Sequence, residues 1–561
     1  MTTNNKEYIG TVLSPPSTSR IKAQLLGDYE RGRVFEGKFV TVTRKSDDTK
    51  ILGRISQILP YNQFYNAGDS WTEARRRGYE IPVGISRAYE IIDVDLLREL
   101  GKGFEVNVPP LPGDPVSELD EDRDFDLIFG ENLKEKLTIP FGHLPGYPRV
   151  IVPLLVGNLP MHMAVFGTTG SGKSFNTGVF LQEISRIAYQ NRRLAYPTII
   201  LDAHGDYTAF VKHYQLQKTE IDFPYDKYLR FGNVRRLVFP RKAASTLSTY
   251  DHPIGLDLEA LGIKNLAETI ILFHRGSLSG ADQQINGLES GLNNALGDVT
   301  RENLNDLFVS DTKFEDLIES IEGLNQRVVH SSSKFAIIRA VRTFRNEIEK
   351  DLRLLSTDSF LKKENWINDT IRNHELLVFD YSSDGAPGVS PNAKQLVGAY
   401  LATRLFKKFI EYSISGKRKN ILFIIEEAQE FCPSKTYSES GQITHRILSQ
   451  IATQGRKFGL SLCLVSQRPG FLDPIVVSMC NTFIVQRISF EDISFVLKVT
   501  GGLPDAVKNR LTNLKTGSAI VTGQMVPTPF PLAVVIPNRD RIVAHETGTV
   551  DVLKGLLDED D

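Results

Sequence analysis

The eight residues Gly167 to Ser174, GTTGSGKS, decide how this chain is read; they stand between the apolar run HMAVF (His162 to Phe166) and FNTGVFLQEISRIAY (Phe175 to Tyr189). They fit GxxxxGK[ST], and each position has a chemical task. Gly167, Gly170 and Gly172 let backbone N–H groups converge on phosphate oxygens, with Thr168, Thr169 and Ser171 completing the loop. Lys173 brings positive charge to the β and γ phosphates, and the Ser174 hydroxyl ligates Mg²⁺. The helix predicted after the loop turns its positive N-terminal end to the same phosphates. A glycine-rich turn with no ligand is the competing reading; the strand before and the helix after argue against it. Bound ATP and Mg²⁺ are therefore expected.

Outward from this loop, apolar runs such as PTIIL, ELLVFD, NILFIIE, LSLCLVS and TFIVQ alternate with stretches of helical spacing, the pattern of a mostly parallel sheet covered by helices. GSAIVTG and PLAVVIP, separated by the two prolines of MVPTPF, read as edge strands or a hairpin. Within this α/β region, residues 245–370 show no strand signal. Ile285, Leu288, Leu292 and Leu296, then Ile337, Val341, Phe344 and Ile348, recur every three or four positions, which predicts an inserted helical subdomain. Towards the N-terminus, YIGTVL, GKFVTVTR, KILGRISQIL and YEIIDVDLL alternate as short strands of a small β-barrel. The resulting plan is a barrel over 1–115, a linker over 116–149 and an α/β core over 150–244 and 371–540. The helical insertion occupies 245–370 and a tail 541–561. Proline and acid in PPLPGDPV and ELDEDRDFD suggest the linker.

A phosphate loop alone does not hydrolyse anything. NILFIIEEAQEF places Glu426 and Glu427 at the carboxyl end of a buried strand, where open α/β sheets hold their ligands. Glu426 would hold the metal and Glu427 polarise the attacking water; the alternative is acids favoured by a helix N-terminus. ILDAHGDY brings Asp202, His204 and Asp206 near the loop, either to sense the metal or simply to build a turn. LSLCLVSQRP ends in Gln467, a γ-phosphate sensor or a strand-end cap. Arg456, in TQGRKFG after an amphipathic helix, either meets that helix's dipole or enters the nucleotide site of a neighbouring subunit.

The chain has 561 residues, 41% of them hydrophobic and 24% charged, as expected of ordinary globular cores. No apolar run is long enough to span a bilayer and MTTNNK opens no signal peptide, so a soluble cytoplasmic protein with no membrane contact is expected. Cys432, Cys463 and Cys480 offer neither a disulfide framework nor a zinc site and read as buried small hydrophobes. With 66 basic and 68 acidic residues, a formal charge of -2, any nucleic-acid contact must be local. Arg75 to Arg77 and the helical series Arg339, Arg342, Arg345 are the candidate basic clusters, each also readable as a solvated face.

Taken together, GTTGSGKS, ILDAHGDY, FIIEEAQEF and GRKFGLSLCLVSQRP resemble the HerA family of the FtsK-HerA superfamily over nearly the whole chain. The resemblance implies a RecA-like P-loop NTPase core with a helical insertion behind an N-terminal HAS barrel. It implies a hexameric, ATP-driven translocase on double-stranded DNA, with a partner nuclease or sirtuin-like effector in DNA processing or anti-phage defence. By motif, Lys173 and Ser174 would bind Mg-ATP, Glu427 be the catalytic carboxylate, Arg456 the finger acting in trans and Gln467 the sensor. Glu426, Ala203 and Asp206 depart from the family's aspartate, proline and glutamate. The alternative within the same motifs is an ATP-stabilised ring that scaffolds an effector and translocates little.

Overall fold

The computed structural model describes residues 8–543 except 28–33, 66–67, 69–70, 81–87, 101–104, 120–127, 131–132, 134–135, 190–191, 221–226, 241–250, 298–303, 328, 435–441 and 538–540. The expected tail from residue 544, and residues 120–126 of the acidic run, lie outside the described residues.

Strands β1 (Tyr8–Val12), β2 (Arg20–Leu25), β3 (Phe39–Arg44), β4 (Thr49–Tyr61), β5 (Tyr89–Glu99) and β6 (Pro115–Glu118) close an antiparallel barrel in the order β1-β2-β5-β4-β3-β6. Alternation fills it: Ile21, Ala23 and Leu25 of β2 point inward while Arg20, Lys22 and Gln24 face out. Closure leaves no strand edge exposed to pairing.

The rest is built on one sheet of twelve strands. In chain order these are β7 (Thr138–Leu144), β8 (Tyr147–Leu155), β9 (Met163–Phe166), β12 (Thr198–Asp202), β13 (Val234–Val238), β14 (Asp251–Pro253), β15 (Leu376–Asp380), β16 (Ile421–Ile425), β17 (Leu460–Ser466), β18 (Thr482–Val485), β19 (Ser518–Gly523) and β20 (Leu532–Val535). The pair β10 (Ile187–Tyr189) and β11 (Arg192–Leu194) forms a separate hairpin. The order is β14-β13-β15-β12-β16-β17-β9-β18-β19-β20-β7-β8, parallel from β14 to β18 and antiparallel beyond. The parallel strands are apolar throughout because both faces are covered: Ile199 and Leu201 of β12 pack on one side, Ile200 on the other.

Helices α2 (Lys173–Ile184) and α3 (Thr208–Thr219) cover one face, after the short α1 (Thr72–Arg76) of the barrel's β4–β5 excursion. The other face carries the insertion, α4 (Ile263–Arg275), α5 (Asp282–Leu296), α6 (Asp311–Glu322), α7 (Ser331–Arg345) and α8 (Trp366–Arg372), together with α9 (Pro391–Ile414) and α10 (Gln442–Phe458). Among the described residues no helix is long and apolar enough to cross a membrane. All three cysteines are buried.

Three readings need correction. Residues 116–149 are no plain linker: β6 completes the barrel between β1 and β3, and β7 belongs to the large sheet. Pro140 hid this strand, but it sits where the β7–β8 register shifts, so the lost N–H is tolerated. The insertion is not purely helical, since β14 pairs with β13 over three residues, too few for any periodicity to register. And Arg345 is not on the exposed face with Arg339 and Arg342. It is buried, donating from Nε to the Phe308 carbonyl at 2.8 Å, pairing with Asp311 and lying 4.1 Å from the centre of the Phe314 ring.

Barrel and core are in direct contact. Phe39 packs against Tyr147 and Phe530 with ring centres 6.5 and 6.2 Å apart, and Arg54 Nη1 donates to the Pro531 carbonyl at 2.8 Å.

Candidate nucleotide site

The loop between β9 and α2 turns where only glycine is relaxed: Gly170 has φ +72° and Gly172 +98°. A side chain on Gly167 would collide with the Ser171 hydroxyl. Neighbouring strand ends brace the loop. Gly167 N–H donates to the Ser466 carbonyl (3.2 Å), and Thr168 donates to the Arg487 carbonyl from both its N–H (2.8 Å) and Oγ1 (3.1 Å). Ser171 Oγ donates to Gln486 Oε1 (2.8 Å) and Thr516 Oγ1 to the Gly170 carbonyl (3.1 Å). The loop stands against a cavity of about 570 Å³, lined also by Lys173, Ser174, Phe175, His204, Asp206, Gln467, Thr516, Gly517 and Ile536.

Both glutamates of β16's carboxyl end reach this loop. Glu426 is fully buried; its Oε1 accepts from Ser174 Oγ at 3.2 Å and its Oε2 from the Ala203 N–H at 3.1 Å. Burial and then Asp206 push its carboxyl up, with His204 and Lys173 opposing. A hydroxyl and one carboxylate are oxygen donors of the kind that hold Mg²⁺ alongside substrate phosphates. No group of three or more His, Cys, Asp or Glu side chains placed to hold a metal occurs among the described residues. The donor set therefore fits a magnesium ion shared with a phosphate better than a metal caged by protein.

Glu427 has φ +47°, a left-handed conformation that costs a glutamate on the order of 1 kcal/mol. Its carboxylate is held from several sides. Gln467 Nε2 and His204 Nε2 (3.2 Å) reach Oε1, Gln429 Nε2 donates to Oε2 at 2.6 Å, and Lys173 Nζ lies 3.8 Å from Oε1. Burial alone would raise its carboxyl, but His204, Gln429, Lys173 and Gln467 outweigh that and hold it at about 2. His204 is raised in turn, chiefly by its bond to Glu427.

The amides are oriented from behind. Gln467 Oε1 accepts from Thr169 Oγ1 of the phosphate loop at 2.5 Å. Gln429 Oε1 accepts from Ser466 Oγ at 2.7 Å, and that oxygen accepts from the Arg468 N–H at 3.1 Å. A continuous hydrogen-bond chain thus runs from Arg468 through Ser466, Gln429, Glu427 and Gln467 to Thr169.

Two residues singled out from sequence lie elsewhere. Asp202 does not line the cavity: Oδ1 accepts from the N–H groups of Gly205 (2.8 Å) and Asp206 (3.1 Å), and Oδ2 from Tyr207 (2.9 Å). It builds the turn that delivers His204 and Asp206; burial, then Glu426 and Asp380, push its carboxyl well up. Arg456 lies in the last turn of α10, exposed, two residues before Phe458 and four before Leu460 opens β17. It is therefore at the amino ends of the parallel strands, across the sheet from the loop that follows β9. The group that feels its charge is His162, just before β9, which burial and then lesser effects including Arg456 depress to about 4. Gln429, Gln486, Arg487, Thr516 and Gly517 were not singled out from sequence. Only Gln429 carried a signal, an amide two residues beyond a candidate catalytic carboxylate.

The family model for the central domain of the helicase HerA matches residues 139–405. The chain is 24% identical over 505 residues to the DNA double-strand break repair helicase HerA of Sulfurisphaera tokodaii, covering 89% of this chain and 88% of that one. Its likeness to the protein of the same name from Pyrococcus furiosus is 26% over 567 residues, covering 93% and 91%. Among solved structures it resembles the plasmid coupling protein TrwB in complex with ADP and Mg²⁺ at a TM-score of 0.44 and 14% identity, over 72% of this chain and 91% of that one. With the phosphate loop set against the paired glutamates, the chain is similar to HerA helicases along most of its length, and residues 139–405 match the model of their central domain.

Proposed function

We propose that this chain is the subunit of a hexameric ring that hydrolyses ATP to move along double-stranded DNA. The observation that carries the reading is the split between its two halves of catalytic equipment. Lys173, Ser174, Glu426, Glu427 and Gln467 converge on one edge of the sheet, whereas Arg456 is exposed on the opposite edge, out of reach of its own loop. An arginine so placed can act on a phosphate only in a neighbouring copy. The relatives' name, DNA double-strand break repair helicase, supports DNA as the track.

Within one site the roles follow from the geometry. Lys173 and the loop N–H groups bind the β and γ phosphates; Ser174 and Glu426 would hold Mg²⁺, which when bound offsets phosphate charge. Glu427 is ionised throughout the neutral range and orients the attacking water, with P–O cleavage following a loose transition state that needs positioning more than a strong base. Its lone pairs are occupied here by Gln467 and His204 on one oxygen and Gln429 on the other. Gln467, bound at once to Glu427 and Thr169, is placed to change partners when a γ phosphate fills the loop, which frees Glu427 for water. Arg456 of the adjoining subunit would neutralise the charge that develops on the transferred group.

The barrel stands on the antiparallel end of the sheet, beyond the parallel strands that carry the nucleotide site. We assign to it the docking of an effector enzyme, a nuclease or a sirtuin-like protein, in cytoplasmic DNA processing or anti-phage defence. The test is the ATPase rate with and without duplex DNA, on material sized by native mass spectrometry. Six-subunit assemblies with a DNA-stimulated rate support the motor. A ring that responds to an effector and not to DNA would make it a scaffold instead, and a fully active monomer would end both readings.

A further inference from the structure

The insertion presents one basic helix face that no carboxylate among the described residues neutralises. Helix α7 packs inward through Ile337, Ile338, Val341 and Phe344, and its outer face carries Phe335, 73% exposed, with exposed Arg339 and Arg342. Successive turns bring these side chains together, since residues three and four apart share a helix face. Arg339 and Arg342 have no hydrogen bond or ion pair among the described residues, and the carboxyl end of α4 brings two further groups beside them, His274 and Arg275. Their proximity shows in the histidine, which partial burial and then Arg339 and Arg275 push below its ordinary range. Among the described residues Arg275 binds only neutral acceptors, Gln284 Oε1 at 3.0 Å and the Ser279 carbonyl at 3.2 Å, and it meets no carboxylate.

Some exposed arginines elsewhere are paired with carboxylates, although Arg327, Arg353, Arg418 and Arg456 have no such pair among the described residues. Arg446 meets Glu268 at 2.6 Å, Arg372 meets Asp369 at 3.2 Å, Arg76 meets Glu73 at 3.3 Å and Arg468 meets Glu491 at 3.3 Å. The chain carries 68 acidic residues, and none of those described pairs with Arg339, Arg342 or Arg275. Three like charges collected on one patch repel one another at a cost that an anionic surface reverses. The patch also has a defined place in the fold. Asn392, in the first turn of α9, donates to the Phe273 carbonyl at 3.1 Å, which ties the end of α4 to the carboxyl edge of the sheet, the edge that carries the nucleotide loop.

We propose that this face, Arg339 and Arg342 with Arg275 beside them, contacts the phosphate backbone of duplex DNA, with Phe335 packing on the adjoining sugar edge. The inference rests on the DNA reading above and adds the element that does the gripping. Phosphate contacts of this kind carry no sequence information and make affinity fall steeply with salt. Repetition around a ring would multiply them.

The experiment compares wild type, R339A/R342A and the charge-keeping R339K/R342K for duplex binding across a salt series, alongside ATPase rates with and without the same duplex. The double alanine variant is expected to lose affinity by about tenfold or more near 0.1 M salt. Its slope of log affinity against log salt should fall by about two per protomer, and its DNA-stimulated rate should drop while the rate without DNA stays. The lysine variant should retain most of both. An alanine variant with wild-type affinity, slope and stimulation would overturn this inference alone and leave the translocase reading standing. Wild-type protein that neither binds duplex nor responds to it would overturn the two together. Loss of effector binding with DNA binding intact would show the patch to be a docking site for an acidic protein, and would refute the proposal.

Discussion

Gln429 offers the sharpest test of the proposal that Glu427 orients the attacking water. In a Gln429→Leu variant the 2.6 Å donor to Glu427 Oε2 disappears, and Ser466 Oγ loses its acceptor. A hydrogen bond to a charged group contributes about 1.5–3 kcal/mol. If Glu427 works by orientation, that loss falls on the chemical step, and at 1.36 kcal/mol per factor of ten it corresponds to a kcat lowered roughly 10- to 100-fold. KM for ATP should hardly move, because Gln429 does not line the cavity. Removing a group that depresses the Glu427 carboxyl must also raise it from about 2, so the acid limb of the kcat profile should move to higher pH. Ser466→Ala removes the lock behind the amide and the acceptor of the Arg468 N–H while leaving the bond to Glu427 in place, and should cost kcat less, about 1 kcal/mol. The assay is steady-state ATPase kinetics over a pH series. A kcat within twofold of wild type, or a rise in KM with kcat unchanged, would refute the reasoning.

Further outcomes follow from the same geometry. Asp202→Ala strands the buried Tyr207 N–H, at about 1–3 kcal/mol, and removes the acceptor of the part-buried Gly205 and Asp206 N–H groups, so chemical denaturation should show a loss of about 1–3 kcal/mol. Arg345→Ala should lower stability by a similar amount through the insertion yet leave the salt slope for DNA alone, opposite in kind to R339A/R342A. His204 is raised by Glu427, so their pairing stabilises fully below about pH 6.5 and is lost as pH rises through the folded value. Against His204→Ala, the wild-type melting temperature should therefore lose a small advantage between pH 6 and 9. The gain is on the order of 1 kcal/mol or less because the imidazole is half exposed.

What could be read from sequence was whatever short-range periodicity and spacing encode. GTTGSGKS and the apolar strands around it announced the parallel sheet, because strands buried on both faces are continuously apolar, and the alternation over residues 8–110 announced a barrel. Glu426 and Glu427 were legible because a strand's carboxyl end faces the ligand in open sheets. What was hidden is long-range. The brace from Gln486 and Arg487 to the loop spans more than 300 residues, and no local pattern specifies it. Asp202 sits on the right strand end, but whether it faces the cavity or its own turn depends on three N–H directions invisible in the string. Arg345 misled because three residues rotate a helix by only about 300°, so Arg339 to Arg345 drifts some 120° around and into the core.

The mixed ring tests the shared site most directly. Arg456→Ala keeps a complete loop and carboxylates but offers its neighbour no cation; Glu427→Gln loses turnover but keeps Arg456. Each alone should be inactive. Mixed before assembly, they should regain ATPase activity with a maximum near equal proportions, since a Glu427→Gln subunit then completes the site of an Arg456→Ala neighbour. A mixture no more active than its two components at every ratio would contradict the account.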